Sequence, residues 1–192
     1  AKYAAFLAIF VFSSVYPRKI NYWPNFGKSF IFKLWRSYFG FAIISEIERL
    51  PDTGGRRYIL AEFPHGLFPI SPVLSQTLVC CLPSFSSRPI FGAVADSGTF
   101  LPVWRHIFGW LGASSASAVN ITRLLVANNV CIFPGGVAEM GMQDTEDAEH
   151  VFLQSRKGFI RLAIQTGATL IPSYHFGNTR VLRHFHSPLL NR

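Results

Sequence analysis

Short apolar runs, most of which are followed closely by proline or glycine, alternate along most of this chain with longer stretches of helical periodicity. The apolar runs cover residues 57–61, 88–95, 130–133 and 169–176. The gaps between them are long enough for helices, and parallel strands are joined by crossovers of about a dozen residues or more, usually a helix. The alternation therefore predicts an α/β sandwich with a largely parallel sheet.

The chain combines a basic charge with an apolar composition. It carries 18 Lys and Arg against 10 Asp and Glu, and 49% of its 192 residues are hydrophobic, with 19 Phe among them. Nucleic-acid binders are usually basic and polar, whereas proteins that rest on anionic membranes are basic and rich in aromatic residues. We therefore expect membrane lipid, and no nucleic acid, as a partner, while part of the basic charge serves a phosphate-bearing ligand.

The cysteines and histidines have no spacing that is typical of a metal site. Cys80 and Cys81 are adjacent, and Cys131 stands alone. His184 and His186 resemble a His-x-His pair, but no nearby carboxylate or cysteine completes a ligand set. We predict no metal and a reduced protein body that faces the cytosol.

Residues 3–16 are uncharged and strongly apolar, and Arg18 and Lys19 follow them. As a helix this run would span roughly 20 Å, which is short of a hydrocarbon core of about 30 Å. The chain begins with Ala1 rather than Met, so we expect a fragment. The run is then either the end of a longer membrane span or a short re-entrant or interfacial helix, and a buried core helix is the alternative. The basic residues after it place the rest of the chain on the cytoplasmic side.

Residues 21–44 interleave aromatic and basic side chains at an approximately helical period. This pattern is typical of an amphipathic segment at an interface, and equally of a packed helix with exposed basic residues. A turn-rich stretch at 50–57 follows. We therefore divide the chain into a membrane-embedded and interfacial segment, 1–50, and a candidate catalytic domain, 51–192.

Two strand ends are broken by proline and glycine in the same way. Pro64 and Gly66 flank His65 after one predicted strand, and Gly135 and Gly136 follow another. In a parallel sheet both loops lie at the same edge, where ligands commonly bind. The glycines allow close approach of a ligand and can turn N–H groups toward an oxyanion or phosphate, although a plain turn is the simpler interpretation. Three residues beyond Gly136, Glu139 either caps the next helix or faces the site.

A basic cluster precedes the last predicted strand. Arg156, Lys157 and Arg161 stand at the start of a predicted helix. Arginine binds phosphate groups bidentately, so the cluster suits a phosphate-bearing ligand, and a solvated helix face is the alternative.

Four sequence blocks in order resemble the type 2 diacylglycerol acyltransferase family, which includes monoacylglycerol acyltransferases. They are "PHG" at 64–66, "FGWLGASSAS" at 108–117, "FPGGVAEM" at 133–140 and "RKGFIRLAIQTGATLIPSYHFGN" at 156–178. The resemblance covers roughly residues 57–180. It implies a glycerolipid-acyltransferase-like sandwich, a location in the endoplasmic reticulum membrane, and acyl-CoA as a co-substrate with no further cofactor. The chain ends soon after the last block, where family members continue, so we expect a C-terminal truncation.

The resemblance implies that His65 is the catalytic base, with Pro64 and Gly66 as motif partners. Gly158 belongs to the last block and is expected, with the basic cluster and the Pro-Gly-Gly loop, on the substrate side. Phe63 departs from the polar residue that precedes the motif in the family. No orienting carboxylate follows His65 locally, so the candidates are Glu62, Asp96 and Glu139, of which we prefer Glu139.

The reaction implied is transfer of a fatty acyl group to diacylglycerol, giving triacylglycerol. Monoacylglycerol, a wax alcohol and a lysophospholipid are alternative acceptors. A catalytically inactive lipid-binding protein and a homo-oligomer remain open.

Overall fold

The computed structural model describes residues 2–16, 20–45, 55–82, 85, 88–99, 101–140 and 148–182. Within these residues one five-stranded sheet forms, and its strands are β1 (Tyr58–Phe63), β2 (Ile90–Val94), β3 (Ala113–Ser115), β4 (Asn129–Ile132) and β5 (Thr169–Tyr174). All neighbouring strands are parallel, in the order β3-β2-β4-β1-β5. The α/β architecture with a parallel sheet is confirmed.

Helices fill the gaps between the strands. The helices are α1 (Lys2–Val15), α2 (Pro24–Gly27), α3 (Phe30–Tyr38), α4 (Ile70–Val79), α5 (Asp96–Thr99), α6 (Trp104–Trp110), α7 (Ala118–Leu124), α8 (Val137–Met140), α9 (Gly158–Thr166) and α10 (Asn178–Val181). The short strand β3 was not predicted, because its Ala-Ser-Ser sequence is typical of a helix cap rather than of a strand. A helix cap follows this strand at Ser117, whose hydroxyl accepts from the Asn120 N–H at the start of α7.

The sheet separates two apolar layers. On one face, α7 and α9 cover strand residues of β1, β2 and β4; the buried side chains there are Ile59, Ala93, Ile121, Leu125, Val130, Ile132 and Ala163. On the other face α4 contributes Val79 to a cluster with Tyr58, Leu60, Phe85, Ile90 and Cys131. β1 lies between β4 and β5 and is buried on both faces. This explains its nearly continuous apolar sequence.

The N-terminal helix α1 is exposed, and no helix among the described residues is long and apolar enough to cross a membrane. The expected membrane span is therefore not found. The alternative of a buried core helix is also wrong, because Phe6 and Phe12 are 71% and 64% exposed. The helix attaches to the body near its C-terminal end, where the Ser13 carbonyl lies 2.9 Å from Nε2 of His106.

The α2–α3 segment packs one face on the body and exposes the other. Phe32 is buried, and Arg36 donates to the Thr77 hydroxyl of α4 at 2.7 Å. The apolar side chains of Phe30 and Leu34 remain exposed. The proposed boundary between residues 50 and 51, like His184 and His186, lies outside the described residues.

Candidate active site

Three neighbouring strands end side by side at the C-terminal end of the sheet, which is called the active-site edge below. β4, β1 and β5 are adjacent and parallel, so their carboxyl ends share this edge. β1 leads into the loop of residues 64–66, β4 into residues 134–136, and β5 into residues 175–178. In open α/β sheets ligands bind outside the carboxyl ends of the strands. The loops that the sequence singled out therefore meet where a site is expected.

Side chains from both flanking loops hold the backbone of His65. Its N–H donates to Oε2 of Glu139 at 2.6 Å, and its carbonyl accepts from Nδ2 of Asn178 at 2.7 Å. The same Nδ2 lies 3.3 Å from the carbonyl oxygen of Pro64. Glu139 and Asn178 are 5% and 1% exposed. The two peptide groups on either side of His65 are thus fixed by buried polar side chains.

The imidazole ring of His65 is oriented by its own loop. Nδ1 lies 2.8 Å from the carbonyl oxygen of Gly66. A carbonyl can only accept a hydrogen bond, so Nδ1 carries the proton and Nε2 keeps a lone pair in the neutral ring. Within the described part of the chain Nε2 has no partner. The half-buried ring packs edge-on against Phe133, with 5.6 Å between ring centroids.

The Glu139 carboxylate bonds the backbone N–H of His65 and not its imidazole ring. We expected its carboxylate to orient the imidazole, but Oε2 accepts from the His65 N–H and Oε1 accepts from the Phe152 N–H at 3.0 Å. A carboxylate on the α8 helix is directed back across the loop, so it meets the main chain of His65 before it can meet the ring. We predicted a catalytic role for Glu139, but its hydrogen bonds support only a role in positioning the His65 loop.

The Pro-Gly-Gly loop is shaped around this carboxylate. A Cβ atom at Gly135 would overlap the carboxyl group of Glu139, and Gly136 has φ +55°. No described group accepts a hydrogen bond from the N–H of Gly135 or of Gly136. Both donors are therefore left without a protein acceptor at this edge, as in backbone sites that bind anions.

The other two carboxylates considered as partners of the ring lie elsewhere. Glu62 is buried on the α4 side of the sheet, where Oε2 lies 3.1 Å from Nε2 of His175 and Oε1 accepts from the Ser75 hydroxyl at 3.3 Å. Asp96 is exposed at the start of α5. Neither carboxylate bonds the ring of His65. His175 is buried and paired, as expected of a structural histidine.

Two of the thiols are kept neutral. Burial raises the pKa of the Cys131 thiol well above its ordinary value, and the charge of Glu62 and a hydrogen bond to it add to the rise. Burial also raises the pKa of Cys80 to about 12, with a further contribution from Cys81. Because the thiolate is the nucleophilic form, neither Cys131 nor Cys80 is suited to covalent catalysis near neutral pH.

The basic cluster stands at the start of α9. Arg156, Lys157 and Arg161 are all exposed, and the Arg156 guanidinium lies 4.9 Å from the centroid of the Phe152 ring. The other end of α9 is at the opposite edge of the sheet, where the Thr166 carbonyl accepts from Arg57. The first turn of α9 therefore lies toward the edge that carries His65. Gly158, the first helical residue, is exposed and its Cα faces open space.

Sequence analysis missed two polar residues at this edge. Asn178 follows β5 and holds the His65 loop, and Glu149 accepts from the hydroxyls of Tyr174 and Thr179. The Gly-Asn step at the end of the last recognised block was the available signal for Asn178. Nothing in the local sequence marks Glu149. Among the described residues no group of three or more His, Cys, Asp or Glu side chains is arranged to hold a metal ion.

A comparison with protein families identifies the chain. The family described as diacylglycerol acyltransferase matches residues 3–190. The chain belongs to the diacylglycerol acyltransferase family. The resemblance of the four sequence blocks is thereby confirmed.

Curated relatives agree with this family assignment. The human diacylglycerol O-acyltransferase 2-like protein 6 is 30% identical over 157 residues, which are 79% of this chain and 45% of that protein. Diacylglycerol O-acyltransferase 1 of Saccharomyces cerevisiae is 31% identical over 157 residues, 78% of this chain and 37% of that protein. Acyl-CoA wax alcohol acyltransferase 1 of Mus musculus is 30% identical over 154 residues, 76% of this chain and 45% of that protein. The chain spans less than half the length of these relatives, and no solved structure matches it.

In this member of the diacylglycerol acyltransferase family, three of the four recognised blocks converge on one edge of the sheet. The Pro-His-Gly loop, the Pro-Gly-Gly loop and the end of the last block are joined by the hydrogen bonds of Glu139 and Asn178 to His65. The remaining block, 108–117, covers the end of α6 and β3, at the far side of the sheet from β5.

Proposed function

We propose that this chain is the catalytic part of a membrane-associated O-acyltransferase that moves a fatty acyl group from acyl-CoA to diacylglycerol. His65 acts as the general base, and the product is triacylglycerol. The observation that carries the proposal is the state of the His65 ring: Nδ1 donates to the Gly66 carbonyl, and Nε2 has no partner in the described part of the chain. Family membership supplies the reaction class.

His65 alone is sufficient for both proton transfers of the reaction. Nε2 of His65 takes the proton of the lipid hydroxyl while the hydroxyl oxygen attacks the thioester carbonyl carbon. The carbon–sulfur bond then breaks, and the proton passes from His65 to the departing thiolate of coenzyme A, which leaves as the thiol. General-base catalysis of this kind contributes about 10²–10⁴-fold to the rate.

The two glycine N–H groups of the Pro-Gly-Gly loop suit the charge that develops on the thioester oxygen. Gly135 and Gly136 belong to the loop that Glu139 ties to His65, and their N–H groups have no acceptor among the described residues. Such donors stabilise the tetrahedral intermediate because that charge is present only after attack has begun. We therefore propose them as the oxyanion site.

The basic cluster suits the phosphate groups of coenzyme A. Arg156, Lys157 and Arg161 are exposed at the end of α9 that faces the candidate active-site edge. The stacking of Arg156 on Phe152 restricts its guanidinium, and the Phe152 N–H is in turn bonded to Glu139. This connection supports a phosphate site that is held in register with His65.

Membrane association, at the endoplasmic reticulum with the catalytic part in the cytosol, is also proposed. The exposed apolar side chains of α1 and α3 support it, because clustered exposed apolar side chains are typical of membrane interaction sites. Diacylglycerol diffuses in the bilayer, so an enzyme at the membrane surface avoids carrying it through water.

A wax alcohol is the second candidate acceptor. The mouse relative named acyl-CoA wax alcohol acyltransferase 1 is as similar to this chain as the human relative is. Both acceptors present a hydroxyl on an apolar body, so the same base and oxyanion site would serve either. Diacylglycerol is preferred because the family description and several relatives carry that name.

Acyl transfer to a panel of acceptors tests this proposal. Microsomes that contain the full chain, from a host without its own triacylglycerol synthesis, receive labelled acyl-CoA with diacylglycerol, monoacylglycerol, a long-chain alcohol or a lysophospholipid. The highest kcat/KM is expected with diacylglycerol. A higher value with the alcohol would move the assignment to wax-ester synthesis, and absence of transfer to every acceptor would leave a lipid-binding protein.

A further inference from the structure

We infer that Asn178 is a positioning residue that fixes the proton on Nδ1 of the His65 ring. The inference rests on the proposed function, in which His65 is the base. Asn178 does not contact the ring itself; it acts through the backbone of the loop that carries the ring. The role would explain how a family member without a carboxylate beside the imidazole keeps Nε2 ready to accept a proton.

Every hydrogen-bonding group of the Asn178 side chain is used on this loop. Nδ2 donates to the carbonyls of His65 and Pro64 at 2.7 and 3.3 Å, and Oδ1 accepts from the Ser71 N–H at 3.0 Å. The side chain is 1% exposed. It therefore closes the loop between residues 64 and 71 by holding the chain before Gly66 and the chain after it.

Gly66 is the residue on which this closure acts. It has φ +65°, and a Cβ atom there would lie 2.8 Å from Nδ2 of Asn178. Its carbonyl is the acceptor for Nδ1 of His65. A glycine in the left-handed region has little preference of its own, so the direction of this carbonyl depends on its surroundings. The neighbouring groups nearest to Gly66 belong to Asn178, whose side-chain amide nitrogen and backbone carbonyl oxygen face the Gly66 Cα.

The consequence concerns the tautomer of His65. Which ring nitrogen carries the proton is set by the hydrogen bond that the other nitrogen makes. If the Gly66 carbonyl turns away, Nδ1 loses its acceptor and the proton is free to occupy Nε2. The ring would then face a substrate hydroxyl with a donor instead of a lone pair.

Asn178→Asp is the test variant because it keeps the shape and the acceptor for Ser71 but removes both donations. Asn129→Asp is a matched control at the opposite edge of the sheet. Asn129 is 2% exposed, accepts from the Tyr58 N–H at 3.0 Å and donates to the Arg88 carbonyl at 2.8 Å. Both variants lose a buried backbone anchor, so both are expected to lower the melting temperature.

Only the Asn178 variant is expected to change the chemical step. We expect kcat to fall about 10²-fold, as for a catalytic group displaced by an ångström, with the KM for acyl-CoA within about twofold of the unsubstituted chain. Asn129→Asp should change neither value. Equal kcat in the two variants would overturn the inference. If Asn178→Asp does not fold, Gly66→Ala replaces it, because its Cβ must displace Nδ2; an unchanged kcat would again overturn the inference.

The tautomer can be read directly. NMR of the full chain with ¹⁵N-labelled histidine, assigned by loss of one signal in His65→Ala, is expected to show the neutral His65 ring protonated at Nδ1. The Asn178 variant should shift the proton toward Nε2, and a proton on Nε2 in the unsubstituted chain would overturn the inference. If His65→Ala retains activity, the proposed function fails whatever the tautomer; if it is inactive and Asn178→Asp is not impaired, the positioning role alone fails.

Discussion

At the scale of single residues, Gly135 is the position where sequence and site depend most closely on each other. The carboxyl group of Glu139 occupies the space that any side chain at residue 135 would need. The same carboxylate holds the His65 N–H at 2.6 Å. A glycine that reads as a plain turn in the sequence is therefore tied to the position of the proposed base.

We expect Gly135→Ala to lower kcat about 10²-fold, because the new methyl group must expel Glu139 and release the His65 loop. Acyl transfer in microsomes measures it. Gly92→Ala is the control, since a Cβ at that glycine of β2 meets no atom within 4 Å and its φ is not in the left-handed region. Normal turnover in Gly135→Ala would show that the loop does not depend on this contact. Gly135→Val should abolish turnover while membrane association persists.

The raised pKa of the Cys131 thiol predicts a pH dependence of stability. The folded chain keeps this proton while the unfolded chain, with a thiol pKa of 9.0, loses it. The contribution of Cys131 to stability is therefore full below pH 9 and falls as the pH rises above that value, by roughly 1.4 kcal/mol per pH unit, and Cys80, whose pKa is also raised, adds a loss of its own. Urea unfolding between pH 8 and about pH 10.5 measures the slope.

Cys131→Ala should make this slope shallower, and Cys81→Ala, which removes an exposed thiol, should leave it unchanged. An identical slope in Cys131→Ala and the unsubstituted chain would contradict the assigned cause. The test is independent of catalysis because neither cysteine is placed in the site.

At the scale of elements, a side-chain pair holds β1 and β5 together at the active-site edge, in addition to the hydrogen bonds between the two strands. Glu62 near the end of β1 pairs with His175 just after β5, and both side chains are buried. Removal of one member of a buried pair leaves the other uncompensated. This pair therefore contributes to the geometry of the edge without contacting the reacting groups.

His175→Leu should lower the free energy of unfolding by about 3–5 kcal/mol, since it leaves the Glu62 carboxylate with only neutral partners, the Ser75 hydroxyl and the Cys131 thiol. Adding Glu62→Gln should restore a large part of that loss, because the buried charge is then removed as well. The free energies of unfolding of His175→Leu, Glu62→Gln and the double variant, measured in urea, form a double-mutant cycle. A double variant less stable than His175→Leu alone would mean that the pair is not coupled in this way.

The elements were largely predictable from the sequence, and the contacts between them were not. The strands at 58–63, 90–94, 129–132 and 169–174 carry the apolar runs that define a parallel sheet. β3 was missed because Ala-Ser-Ser has little strand character. Helix α4 begins at Ile70 with Pro69 as its cap, one residue before the Ser-Pro step at 71–72, which is itself typical of a helix start.

The site was predicted in part. A parallel sheet brings the ends of β1 and β4 to one edge, so the approach of the Pro-Gly-Gly loop to the His65 loop follows from topology. The target of Glu139, backbone rather than ring, depends on side-chain direction across the loop, which no local pattern fixes. Asn178 lies 113 residues from the carbonyl that it binds, and such a contact cannot be read from spacing.

At the scale of the whole molecule, we propose that the sheet with its loops and the exposed apolar helices bind different partners. The sheet holds the loops, while α1 and α3 present apolar side chains to the outside. The positive net charge of the chain is compatible with an anionic lipid surface beside them. The described residues of the expected membrane-embedded segment form short exposed helices and no membrane span.

Phe6→Asp combined with Phe30→Asp should weaken binding of the full chain to anionic vesicles by about tenfold per substitution, since a buried Phe contributes roughly 1.5–3 kcal/mol. Co-sedimentation measures the partition. Ile164→Asp is the matched control, because Ile164 is 77% exposed on α9, away from both helices. If Ile164→Asp weakens vesicle binding equally, the binding depends on general surface properties and not on α1 and α3.

The most direct test of the central claim is the rate of acyl transfer from acyl-CoA to diacylglycerol by His65→Ala in microsomes. Removal of a general base predicts a fall in kcat of at least about 10²-fold. His150→Ala, which removes an exposed histidine, should remain at the unsubstituted rate. A His65→Ala chain that still makes triacylglycerol within a few-fold of that rate would contradict the account.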